Sequence, residues 1–167
     1  MKAGHQFAAP VRLLPEAILQ PQRPVRALAI TWVTTFIPSI ILAGLIGLIA
    51  PDVPQPQFNF SGPVAVFLLA VFAPVVETLI MGTVLLALLR LLSPTVAILL
   101  SSLGWGVAHS LAAPTWGLVI WWPFLVLSTL FVVWRRHSLA AAFAMPAVAH
   151  GLHNLAPALL VAYGIHV

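Results

Sequence analysis

The feature that most constrains this chain is an uninterrupted apolar run over residues 62–89 with a single carboxylate near its middle. Crossing the hydrocarbon core of a bilayer takes about 20 such residues, so the run reads as a membrane helix. Glu77 lies in Ala73-Pro-Val-Val-Glu77-Thr-Leu-Ile-Met-Gly82 and is the only acidic residue after Asp52. An ionisable group at a helix centre costs about 2.5–3.5 kcal/mol on insertion scales, and it persists where it faces a polar cavity or a partner. Glu77 is therefore a functional-site candidate. The plainer alternative is a protonated Glu that hydrogen-bonds a neighbouring helix and does nothing else.

Composition extends the constraint to the whole chain. Of 167 residues, 62% are hydrophobic and 6% charged, against about 25% charged in soluble domains. The expected class is an all-α, polytopic integral membrane bundle. There is no cysteine, which excludes disulfides, thiolate metal sites and a cysteine nucleophile. The net charge of +4 comes from seven Lys/Arg against three Asp/Glu. These are scattered along an apolar chain and read as topology signals, so no nucleic-acid partner is expected.

Residues 1–26 are the one long polar stretch, interrupted by Pro10, Pro15, Pro21 and Pro24. Residues 11–20 are expected to form a short helix on the membrane surface. No apolar core begins before Leu28, so no cleaved secretory signal is expected. Five spans follow, at 27–50, 62–89, 94–112, 115–134 and 138–163. Pro74 predicts a kink in the second span, one turn before Glu77. The fifth span is expected to break near Gly151 or Pro157, or else to tilt. With five spans, Lys2, Arg12, Arg23, Arg26, Arg90, Arg135 and Arg136 all fall on one side, and Asp52 alone on the other. The positive-inside rule then puts the N-terminus in the cytoplasm.

The polar residues can now be compared in depth. Glu77 lies about 20 Å from the positive edge, His109 about 22 Å, His150 about 21 Å and Asn154 about 27 Å, at the helical rise per residue. Three helices running in alternating directions thus bring a Glu and two His to one level, which scattered structural residues have no reason to share. His150 and Asn154 are four apart and occupy one helix face. His153 reads as a rim or packing residue, and His5, His137 and His166 lie at the membrane edges. Ser110 follows His109, but no Gly-x-Ser-x-Gly elbow accompanies it to make a serine nucleophile. Glu, two His and Asn can perform hydrolysis, with the carboxylate as general base for water and a His or Asn on the oxyanion. Alternatively, Glu77, His109 and His150 could ligate a divalent metal such as zinc, although no His-Glu-x-x-His motif favours it.

At these residues the chain resembles the CPBP (Abi) family of CAAX prenyl proteases and bacteriocin-processing or immunity proteins. Glu77 matches the leading Glu of the family's Glu-Glu-x-x-x-Arg, with Thr78 and Gly82 in place of the second Glu and the Arg. Trp105-Gly-Val-Ala-His109 matches Phe-x-x-x-His with Trp for Phe. His150-Gly-Leu-His-Asn154 matches His-x-x-x-Asn, preceded by Ser138-Leu139. The family's Glu and Arg pair with each other, so losing both leaves no unmatched charge. The resemblance implies an intramembrane endopeptidase with Glu77, His109 and His150 as its catalytic set and Asn154 completing the site, and a divergent subgroup that trims sorting tails fits at least as well as a prenyl-protein protease. Metal-free water activation is the favoured version. Residues 1–26 would be a cytoplasmic or interfacial segment and 27–167 the transmembrane catalytic domain. The expected partners are the lipid bilayer and a membrane-anchored protein or peptide substrate, and the expected location is a bacterial inner membrane. The rival readings are a non-catalytic immunity or scaffold protein of the same fold and a proton-coupled carrier, which the absence of an internal repeat disfavours.

Overall fold

The computed structural model describes residues 7–165, and it is all-helical, with no strand among the described residues. A 3-10 turn at Val11–Leu13 and a single turn α1 at Glu16–Leu19 lead into α2 at Pro24–Ile49. Next, α3 at Gly62–Phe67 passes through a π-turn at Leu68–Phe72 into α4 at Ala73–Leu88. Three helices complete the bundle: α5 at Pro94–Ser110, α6 at Trp116–Trp134 and α7 at Leu139–Ala162. Proline opens the first turn of α2, α3 and α5, where its missing N–H is harmless. Ser138 caps α7, its Oγ accepting the Ala141 N–H at 3.0 Å. Short connections at 89–93, 111–115 and 135–138 make consecutive helices antiparallel neighbours.

Every expected span is a helix within a few residues of its expected ends. Pro24–Ile49, Gly62–Leu88 and Trp116–Trp134 are long and apolar enough to cross a membrane. The other two fall short for different reasons. α5 has only 17 residues, and α7 carries His150, His153 and Asn154, which lower its hydropathy. Many large apolar side chains face outward, among them Leu45, Leu48, Ile49, Val71, Leu79 and Leu103. A soluble monomer rarely exposes contiguous apolar patches on this scale, whereas lipid covers them without penalty. The protein is a membrane protein.

α6 is the centre. Every residue from Pro123 to Trp134 is buried, and α2, α5, α7 and the N-terminal turn all pack on it. α5 approaches it most closely, because the place of a Cβ on Gly117 is already taken by the Gly106 carbonyl and the Ser110 hydroxyl. Ser110 thus serves helix packing. α2 is joined to α6 by a bond that proline creates. Pro38 has no N–H for the Thr34 carbonyl four residues back, and Trp122 Nε1 on α6 donates to that carbonyl at 2.8 Å.

Two expectations change. α7 runs unbroken past Gly151 and Pro157, its packing against α3, α4 and α6 overriding the propensity of those residues. The segment expected as a surface helix is broken by Pro15 into the two short turns. Its Phe7, Val11, Leu14, Ile18 and Leu19 are buried within the bundle's main apolar core. The Ala8 N–H donates to Thr95 Oγ1 at 2.9 Å, and Arg136 lies 5.9 Å over the Phe7 ring. The start of α5, the end of α6 and the N-terminal turns therefore share one end of the bundle, which the positive-inside rule would place in the cytoplasm. Because the chain lacks cysteine, single cysteines can report on this. A cysteine at Gln57 should react with a membrane-impermeant maleimide on intact cells, and one at His137 should react only after lysis. The reverse pattern would refute the orientation.

Candidate active site

Glu77, His109, His150 and Asn154 line one cavity of about 390 Å³, together with His153. The levels inferred from helical rise are thus matched by a common enclosure. Glu77 reaches it from the second turn of α4, His109 from the last turn of α5, and His150, His153 and Asn154 from one face of α7. Most of the remaining wall is apolar and comes from α2 and α6. Gln55, Pro56 and Phe58 of the α2–α3 connection sit at the end away from the arginines. Glu77 is the one charged side chain among Asp, Glu, Lys and Arg in that lining.

Glu77 Oε2 and His150 Nε2 approach each other to 3.8 Å. This is beyond direct hydrogen-bond length and suits a bridging atom. His109 Nδ1 lies 2.9 Å from the Trp105 carbonyl. A carbonyl can only accept, so Nδ1 carries the proton, and in the neutral ring Nε2 keeps a free lone pair. Phe124 packs against both imidazoles, its centroid 5.8 Å from His109 and 5.3 Å from His150. Trp116 stands edge-on to His109 at 4.7 Å. These aromatic walls restrict where the two rings can turn.

His153, read as a rim or packing residue, is buried in the cavity wall. Its Nδ1 lies 3.1 Å from Thr35 Oγ1, whose own proton goes to the Trp32 carbonyl. The imidazole therefore donates, and the bond ties α7 to α2. Thr35, Phe124 and Trp116 are site residues that no motif signalled.

Asn154 has a different occupation from the one expected. Its Nδ2 donates to the Leu69 carbonyl at 3.0 Å. The reason lies in Pro74. In the π-turn the Ala73 N–H bonds the Leu68 carbonyl, and Pro74 has no N–H to offer Leu69, so that carbonyl needs a donor from elsewhere. Next to the proline expected to kink it, the helix thus forms a π-turn, which ends five residues ahead of Glu77 and is held from α7. Gly151 permits the close contact, since a Cβ there would come within 2.7 Å of the Ala70 carbonyl oxygen. His5 and His166 lie outside the described residues, and His137 is exposed at the arginine end.

The positions where the sequence departs from the CPBP motif are also explained locally. A Cβ on Gly82 would meet the rings of Phe143 and Phe131, which pack edge-to-face at 5.1 Å. Aromatic rings therefore occupy the space an arginine stem would need. Thr78 is buried, and its hydroxyl lacks a hydrogen-bond partner. Among the described residues no three His, Asp or Glu side chains are grouped as metal ligands would be.

A family model described as "Rce1-like: Type II CAAX prenyl endopeptidase Rce1-like" matches residues 59–156. No curated protein and no solved structure matches the chain. If the Asn154–Leu69 bond holds the π-turn, Asn154→Leu should lower stability by about 1–3 kcal/mol, the cost of stranding a buried acceptor. Thermal unfolding in detergent would read this, and an unchanged midpoint would show that the bond is not formed. The matched segment spans more than half of the chain and includes Glu77, His109, His150 and Asn154; the chain belongs to the Rce1-like type II CAAX prenyl endopeptidase family.

Proposed function

We propose that this protein is an intramembrane endopeptidase that hydrolyses a peptide bond of a membrane-anchored protein or peptide, with Glu77 activating the water. The observation that carries the reading is the approach of Glu77 to His150 in a cavity that also receives His109. Water held between the carboxylate and the His109 Nε2 lone pair loses a proton to Glu77 as its oxygen attacks the substrate carbonyl. His150 Nε2–H supports the developing oxyanion, and Glu77 returns the proton to the leaving amine. Asn154 keeps the π-turn in place, and through it the direction of Glu77. The five spans formed by α2, α3 with α4, α5, α6 and α7 would be membrane-embedded, as the charge distribution expects. The cavity would open toward the outer face of a bacterial inner membrane.

Glu77→Gln keeps the shape of the side chain and removes the proton acceptor. Cleavage should fall by about 10²–10⁴-fold, the usual share of general base catalysis. Yield and unfolding temperature should hold, since a neutral amide is cheaper to bury than a carboxylate. His109→Ala and His150→Ala should each be defective and add little to Glu77→Gln, because groups acting as one unit are not additive. His137→Ala is the control. Full activity of Glu77→Gln would end the peptidase reading and favour a scaffold of the same fold.

The roles given to Glu77, His109 and His150 require no metal. Cleavage should therefore survive exhaustive treatment with a divalent-metal chelator. Loss of cleavage that added zinc restores would instead make these three residues ligands.

A further inference from the structure

Of five prolines within these helices, Pro146 lies deeper in α7, and the other four, Pro38, Pro74, Pro123 and Pro157, bear on the cavity or its supports, each leaving one backbone carbonyl without its donor in the helix. Two of these carbonyls are answered by another helix: Thr34, freed by Pro38, by Trp122, and Leu69, ahead of Pro74, by Asn154. The other two have no such answer. Pro123 in α6 cannot donate to Val119, nor Pro157 in α7 to His153, because each stands four residues ahead with no N–H. Among the described residues no side-chain N–H or O–H donates to either carbonyl.

Their placement is specific. A helical carbonyl points along the axis toward the residue four ahead, and residues four apart share a face. Val119, Pro123, His153 and Pro157 all line the cavity. Each gap between carbonyl and proline ring therefore lies along the cavity, in an apolar bundle where an unsatisfied carbonyl is costly. The two acceptors sit on neighbouring antiparallel helices, in the enclosure that holds Glu77 and His150.

We propose that the Val119 and His153 carbonyls are subsites for backbone N–H groups of the substrate, and that the segment bound there is extended. A helical segment keeps its N–H groups bonded internally and has none to give. A segment unwound for cleavage exposes them in an apolar cavity, where each unmet donor is costly. Successive residues of an extended chain present their N–H groups to alternate sides. One segment can thus donate to both helices. Recognition through main-chain donors is independent of side chains, so these subsites select for conformation. They also select against substrates whose nitrogen carries no hydrogen, such as proline or an N-alkylated residue at those two positions.

The inference rests on the peptidase reading, and binding tests it without requiring turnover. The probe is a randomised pool of short peptides carrying a C-terminal hexadecyl anchor, presented to Glu77→Gln protein in lipid nanodiscs. A retained peptide is resynthesised as a series in which one backbone N–H at a time becomes an ester oxygen. Two positions should lose about three- to tenfold in affinity, the net worth of one hydrogen bond. In Pro123→Ala the penalty should vanish at one position, and in Pro157→Ala at the other, as each restored N–H reclaims its carbonyl. Both variants fold, since alanine is the better helix former. Ester penalties that are absent, or that the proline variants leave unchanged, would overturn these subsites while the peptidase reading stands. Retention of no peptide would overturn both.

Discussion

A proline inside a membrane helix leaves a carbonyl that neither its own helix nor the surrounding lipid can satisfy, and much of this structure follows from where those carbonyls find partners. In water a freed carbonyl would be hydrated at little cost. In an apolar bundle the donor has to come from another helix or from a cavity. Trp122 supplies it to Thr34 and joins α2 to α6. Asn154 supplies it to Leu69 and joins α7 to the π-turn that precedes Glu77. The prolines, which would weaken a soluble helix bundle, here specify which helices are neighbours and in what register.

The same π-turn links architecture to chemistry. π-turns recur at functional sites because one inserted residue re-aims the side chains that follow it. Here the insertion lies immediately before the turn carrying Pro74 and Glu77, and α7 presents His150, Gly151 and Asn154 against it. His150 approaches the carboxylate, Gly151 allows the backbones to meet, and Asn154 holds the loose carbonyl. Three residues within one turn and a half of α7 thus serve three separate needs of one site. That division of labour explains why a His-x-x-x-Asn spacing can matter even where the Asn amide is engaged by a backbone carbonyl.

The departures from the family motif are physically coherent. With Thr78 and Gly82 in place of the motif's second Glu and its Arg, the Phe131–Phe143 contact supplies apolar packing where charge would otherwise be desolvated, an exchange that is often neutral or stabilising. It also leaves Glu77 as the one formally charged residue lining the cavity. A substrate held there meets an apolar wall, backbone carbonyls and histidines, and no cation.

How much of this was legible in the sequence depends on the kind of interaction. The helices were legible, because a 30 Å apolar layer forces long apolar runs and proline and serine mark their beginnings. So was the meeting of Glu77, His109 and His150, since a helix converts residue count into depth and buried polar groups seek one another. The freed Leu69 carbonyl was latent in the position of Pro74, but nothing in the sequence named its partner. The burial of the N-terminal turns, His153 bonded to Thr35, the two imidazoles against Phe124 and the rings over Gly82 lay outside what sequence could reach. Helical periodicity specifies which residues share a face and how deep they lie. It does not specify which face of another helix they meet, and that is decided only when side chains from segments far apart in sequence compete for the same space.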